Sequence, residues 1–322
     1  MAQDITVQTD QTPNLPLLLE VETEQAKAFA KHQHAPSTRK AYESDIRLFQ
    51  SWCQERNVSS LPATPQTIAI FLSWSAHEGF AVSTLGRRLA SLQYLHRVSG
   101  FETPTPSELV KATLKGIRRS LGTAPNKKHA ATAERLAEMI HHIPQTLRGK
   151  RDKAILLLGF AGAFRRSELS ALKITDIEET EQGLRVIIRQ SKTDQEAQGQ
   201  EIAIYKGVRL RPVEAVKEWL EASHLTEGHL FRSLLKGNKV SANALSPFSI
   251  SQIVKKYAAL AGFIEGDFSA HSLRSGFITS AAERGASLFK MMEVSRHKSV
   301  DTLQGYVRKA ELFKDHAGSS FL

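Results

Sequence analysis

The chain has 322 residues, 41% of them hydrophobic, and its 43 Lys and Arg outnumber 33 Asp and Glu to give a net charge of +10. That length suits two ordinary domains with cores of their own, and the charge favours a polyanionic partner, nucleic acid or a membrane surface. A single cysteine, Cys53, excludes a disulfide framework within the chain and points to a reducing compartment, by default the cytoplasm, while no apolar run approaches the roughly 18 residues of a membrane span.

Residues 1–19 are polar at the start, carry no apolar signal core and read as a disordered leader. Helical periodicity begins near Glu20. Ser37 and Thr38 follow Pro36 and precede Ala41, Tyr42, Ile46, Leu48, Phe49 and Trp52, the pattern of a capped amphipathic helix. A second helix is expected after Thr64, with Pro65 in its first turn and Gly79 at its end. Ser83 opens a third, whose buried stripe is Leu85, Leu89, Leu92 and Leu95. From Val82 to Phe101 there is no acid, but Arg87, Arg88 and Arg97 are present, and Tyr94 shares a face with Arg87. Such a face suits contact with a DNA backbone, or is simply solvated with Tyr94 in the core. A fourth helix runs from about Ser107 to Leu121 and carries Arg118 and Arg119. Residues 122–130, with Lys127 and Lys128, have the composition of a basic linker.

The second half, residues 131–322, opens with helices around Ala133–Ile143 and Lys150–Ala163 and a short third helix. Strand-like runs then follow at Leu184–Gln190 and Glu201–Tyr205, flanking the turn Ser191-Lys192-Thr193-Asp194. Helices are expected from Pro212 onwards. There is no internal repeat, no metal-ligand spacing and no Gly-rich phosphate loop, so neither a metal nor a nucleotide cofactor is expected.

Four segments hold groups suited to phosphoryl transfer on DNA. They are Gly162-Ala163-Phe164-Arg165-Arg166-Ser167-Glu168-Leu169, the turn lysine Lys192, His271-Ser272-Leu273-Arg274, and the run from His297 to Tyr306. In this chain order they resemble the catalytic signature of the tyrosine recombinases, the lambda-integrase and Cre-like family. Ser37-Thr38-Arg39-Lys40-Ala41-Tyr42, followed by Phe49 and Trp52, resembles the start of that family's helical core-binding domain, so the likeness spans the chain from about Glu20.

The resemblance implies a mainly α fold. An N-terminal helical, SAM-like core-binding domain over residues 20–121 would precede an α+β catalytic domain with a small antiparallel sheet, the two forming a C-shaped DNA clamp. It implies site-specific recombination through a 3′-phosphotyrosine on Tyr306, double-stranded DNA with inverted-repeat sites as substrate, and a homotetramer joined by exchange of the C-terminal tail. The chemistry agrees residue by residue. A phosphodiester gains charge in its transition state, which two always-charged guanidiniums, Arg165 and Arg274, stabilise. Glu168 lies three residues beyond Arg165 and can orient it. A phenolate nucleophile conserves bond energy, so rejoining needs no ATP. By resemblance Lys192 is the general acid, and His271 and His297 exchange protons with, or hydrogen-bond to, the phosphate and Tyr306. One position departs from the family pattern: Arg296 stands where glycine usually precedes the second histidine. Two other readings remain open at this point, a type IB topoisomerase and a DNA-binding regulator that never cuts.

Overall fold

The computed structural model describes Leu19, Glu22, Gln25 and residues 33–123, 128–189 and 199–310. Two compact units divide the chain, residues 1–126 and 127–322. The described residues of the first include the helices α1 Pro36–Glu55, α2 Pro65–His77, α3 Val82–Val98 and α4 Glu108–Leu121. The start of α1 differs from the sequence reading. Ala35 is its N-cap and makes no side-chain hydrogen bond, Pro36 occupies the first turn, and Ser37 and Thr38 lie inside the helix. A proline needs no N–H partner there and fixes the helical φ, so no hydroxyl cap is required. At α2 the expected cap is present, with Thr64 Oγ1 accepting the Thr67 N–H at 3.1 Å. Phe49 and Trp52 from α1, Phe71 from α2, Leu85 and Leu92 from α3 and Val110 from α4 close one core. Phe49 and Phe71 meet edge to face at 4.9 Å.

The second unit contains α5 Ala133–His141, α6 Leu147–Ala161, α7 Arg166–Ala171, β1 Ile177–Glu179, β2 Gly183–Ile188, β3 Gln200–Tyr205, α8 Pro212–Ser223, β4 Arg232–Leu234, β5 Val240–Ala244, α9 Pro247–Leu260, α10 Ala270–Glu283, α11 Leu288–Ser295 and α12 Val300–Ala310. α6 is buried without interruption from Ala154 to Phe160, as an apolar run without a polar face requires. Its one buried acid, Asp152, accepts two hydrogen bonds from Arg151 and one from the Tyr257 hydroxyl at 3.1 Å, which ties α6 to α9.

Strands β1, β2 and β3 form an antiparallel sheet in that order. Leu184 faces Ile204 and Val186 faces Ile202, and these alternate residues turn inward. β2 ends at Ile188, opposite Gln200, two residues short of the expected Gln190. A second antiparallel pair, β4 with β5, lies in a stretch read from sequence as helical. Its strands are short and largely half-exposed and lack inward–outward alternation, so no period marks them.

The chain entering this unit runs along α10. His129 N–H donates to Asp267 O at 2.7 Å, Ala131 N–H to Ser272 O at 2.9 Å, and Ala133 N–H to Ser280 Oγ at 2.9 Å. Gly276 makes this approach possible, because a Cβ there would lie 1.9 Å from Ala131 O. Among the described residues, no helix is long and apolar enough to cross a membrane.

Candidate active site

The site starts where α6 gives way to α7. Ala163 is held at φ 44°, a left-handed conformation that is uncommon for a residue with a Cβ. Its carbonyl accepts hydrogen bonds from two guanidiniums, Arg274 Nη1 at 2.8 Å and Arg296 Nη2 at 3.0 Å. Arg165 is the N-cap of α7. Its own N–H donates to Glu168 Oε2 at 2.9 Å and its Nη1 to Glu168 Oε1 at 2.6 Å. Glu168 therefore fixes both the backbone and the head group of Arg165, from the helical spacing read in the sequence.

α10 supplies His271 and Arg274 one turn apart, with Arg274 almost completely buried (1% exposed) and His271 reaching solvent. Arg274 Nη2 lies 3.2 and 3.3 Å from the two ring nitrogens of His297. Ser295 settles which of them carries the proton. Its hydroxyl donates to Met291 O at 2.5 Å, so at 2.8 Å from His297 Nδ1 its oxygen acts as acceptor. His297 is thus protonated on Nδ1, and Nε2 is the nitrogen that accepts from Arg274.

Tyr306 lies on α12 and packs with Ile278 and Ala282 of α10 and Met291 of α11. Burial raises its phenol pKa, and Arg274 opposes that. Burial and the charges of Arg274 and Arg165 push His271 below the ordinary histidine range. The same causes push His297 down to about 4. Both imidazoles are therefore neutral at physiological pH. Burial, with Arg165 and Arg296 adding to it, also pushes Arg274 down to about 9, which still leaves it charged at pH 7. The result is a pocket of three guanidiniums around one carboxylate. Its arrangement can bind a phosphodiester, stabilise charge on its oxygens and offer neutral imidazoles for proton exchange.

The Phage integrase family model matches residues 130–312, more than half of the chain, and the phage integrase N-terminal SAM-like domain matches residues 27–99. The chain belongs to the phage integrase family. This recombinase is 37% identical over 300 residues to an integrase/recombinase xerD homolog of Selenomonas ruminantium, covering 91% of this chain and 87% of that protein. It is 25% identical over 304 residues to the recombinase cre of Escherichia phage P1, covering 88% and 86%. Its fold is also that of a lambda integrase (75–356) dimer bound to a COC′ core site, with TM-score 0.60, 20% identity, and 88% and 96% of the two chains covered. It is an enzyme of site-specific DNA recombination, cleaving and rejoining DNA strands.

Within the recombinase the expected site residues fall into three groups. Arg165, Glu168, His271, Arg274, His297 and Tyr306 are assembled as described. Lys192, Lys127 and the tail beyond Ala310 lie outside the described residues, as does most of the 1–19 leader. The residues read as a DNA-facing set are divided. Arg97, Arg118, Arg119 and Lys128 are exposed. Tyr94 is half-buried beside Tyr42 and His34. Arg87 is half-exposed and binds Asp45 through two hydrogen bonds of 2.8 and 3.0 Å. Arg88 does not fit a surface role. It is 3% exposed, donates to Ser75 Oγ at 2.7 Å, lies 3.8 Å from Asp45 and covers the Phe80 ring at 3.8 Å. Its placement follows from Asp45 on α1, a buried acid that an acid-free α3 did not reveal. Arg296, read only as a departure from the family pattern, proves to be part of the site.

Proposed function

We propose that this recombinase cuts DNA with Tyr306, whose phenol oxygen attacks the scissile phosphorus. The phenol proton passes to His271 or His297, the bond to the 5′-oxygen breaks, a 3′-phosphotyrosine forms, and the departing 5′-oxygen takes a proton from Lys192 to leave as a hydroxyl. Reversal of these steps by a partner strand's 5′-hydroxyl rejoins the DNA. Arg165 and Arg274 hold the phosphate, and His271 and His297 hydrogen-bond to it or to the phenol and pass protons. The observation that carries this reading is the convergence of Arg165, Arg274, His297 and Tyr306 from separate segments around one positive pocket. The substrate is double-stranded DNA with inverted-repeat sites. The working assembly is a homotetramer on two sites, joined by the segment after Tyr306, and the setting is the cytoplasm. Arg87, Arg97, Arg118, Arg119, Lys127 and Lys128 contact phosphates, and Tyr94 flanks them.

Tyr306→Phe tests the reading. It removes one oxygen and little volume, so folding and site binding are expected to survive while the covalent protein–DNA adduct on a nicked site disappears. An adduct that still forms and resists denaturation would assign the nucleophile elsewhere. Relaxation of any supercoiled plasmid, without exchange between two sites, would favour a topoisomerase.

A further inference from the structure

Arg296 is a residue out of its usual conformation and out of the usual environment of its charge. It closes α11 in the left-handed region at φ 57°, where a glycine would sit without strain. Yet its side chain is only 2% exposed. The two Nη atoms donate to Gly162 O at 2.9 Å, Val294 O at 2.6 Å, Ala163 O at 3.0 Å and Glu168 Oε2 at 2.8 Å. The guanidinium also lies 5.3 Å from the Phe164 ring. A buried arginine in a strained backbone persists where the surroundings over-determine it.

What those acceptors do sets its role. Glu168 holds Arg165, and Ala163 O holds Arg274. The residue after Arg296 is His297, and the left-handed turn aims it at Arg274. We infer that Arg296 is a positioning residue, one buried side chain that fixes the anchors of both phosphate-binding arginines and, through its backbone, the placement of His297. The inference rests on the proposed assignment of Arg165, Arg274 and His297 to the scissile phosphate and names what holds them. Arg296 touches neither DNA nor Tyr306 in this role.

The electrostatics add a distinguishing signature. Burial pushes the Glu168 carboxyl up, but the charge of Arg296, and then the hydrogen bonds and charge of Arg165, outweigh it and hold the carboxyl below the ordinary range. Arg274 is the remaining charged neighbour that feels Glu168. Arg274, at about 9, stays charged through neutral pH. Without Arg296, burial gains the upper hand, Glu168 takes up a proton as pH falls, and Arg165 loses its carboxylate. His297, held down to about 4, does not titrate near neutral pH. His271 titrates in every protein compared.

The test uses the full chain with Arg296→Met, Arg296→Lys and Glu168→Gln. Three readouts are needed: single-turnover adduct formation on a nicked site at saturating protein, affinity for the same site, and hydrogen exchange over residues 160–169. Arg296→Met is expected to bind the site within about twofold of wild type but to form adduct at least about tenfold more slowly. It should also gain an acid limb, beyond the His271 titration shared by every protein compared, that wild type and Glu168→Gln lack. Arg296→Lys should recover part of the rate and lose the acid limb, since an ammonium keeps the charge but reaches fewer acceptors. Exchange at residues 160–169 should quicken in Arg296→Met. Wild-type rate, a flat pH profile and unchanged exchange in a folded Arg296→Met would overturn the inference. So would a rate loss matched by an equal loss of affinity. If Arg296→Met is recovered only unfolded, Arg296→Lys decides: slower cleavage at unchanged affinity supports positioning, and wild-type speed refutes it. A wild-type chain that forms no adduct would sink the proposed Tyr306 chemistry instead, and exchange at residues 160–169 would still judge whether Arg296 anchors that segment.

Discussion

Three guanidiniums, Arg165, Arg274 and Arg296, crowd around the carboxylate of Glu168, and the histidines beside them are neutral. Burial, with the like charges of Arg165 and Arg296 adding to it, is why Arg274 is pushed down to about 9. A phosphate anion would relieve the like-charge part of that cost. Charge alone does not make an arginine functional, as the pair on α3 illustrates. Arg88→Ala should destabilise the N-terminal unit by about 2–3 kcal/mol, short of the roughly 3–5 kcal/mol for a buried charge left wholly unpaired, because Arg87 still holds Asp45. Arg87→Ala strips both hydrogen bonds from the buried Asp45 carboxylate, leaving Arg88 3.8 Å away, and should cost about 1–3 kcal/mol as well. A urea midpoint of Arg88→Ala equal to wild type would contradict the assignment. Arg165, His271, Arg274, His297 and Tyr306 can be read as a set because each lies in a short motif with a fixed chain order. The burial of Arg88 and Arg296 cannot, because their partners, Asp45 and Glu168, are distant in sequence, and burial is decided by such partners.

At the scale of elements, helices were readable wherever apolar spacing was long and a proline or hydroxyl marked the start, as at α2 with Thr64 and Pro65. β2 and β3 showed through their alternating Leu184, Val186, Ile202 and Ile204. The β4–β5 pair did not, because strands of three and five residues with little burial carry no period. Close approach between elements was also invisible in sequence. Gly276 on α10 is the clearest instance, since any side chain there meets the Ala131 carbonyl. Gly276→Ala is therefore expected to cost about 1–3 kcal/mol by overpacking. It should slow adduct formation as well, because the displaced helix carries His271 and Arg274. A thermal midpoint equal to wild type would show that residues 129–131 move aside without penalty.

For the whole molecule, the net charge of +10 is the coarse signal of a nucleic-acid partner, and its distribution supplies the test. Arg118 and Arg119 end α4 as exposed cations. Replacing both with alanine should weaken binding to every DNA sequence alike and flatten the dependence of log affinity on log salt by roughly one unit per lost phosphate contact. An unchanged slope would mean that they are merely hydrated.

The bonds from residues 129–133 to α10 and the turn before it also decide where the molecule can be cut. By helical propensity alone, a separately produced catalytic fragment would start at Ala133, the first residue of α5. Such a fragment would strip Ser272 O and Asp267 O of their donors and leave a groove above Gly276, directly behind His271 and Arg274. A fragment beginning at Lys128 keeps that strap, together with the Lys128 Nζ bond to Gly266 O. The serviceable boundary for expression therefore lies several residues upstream of the first helix.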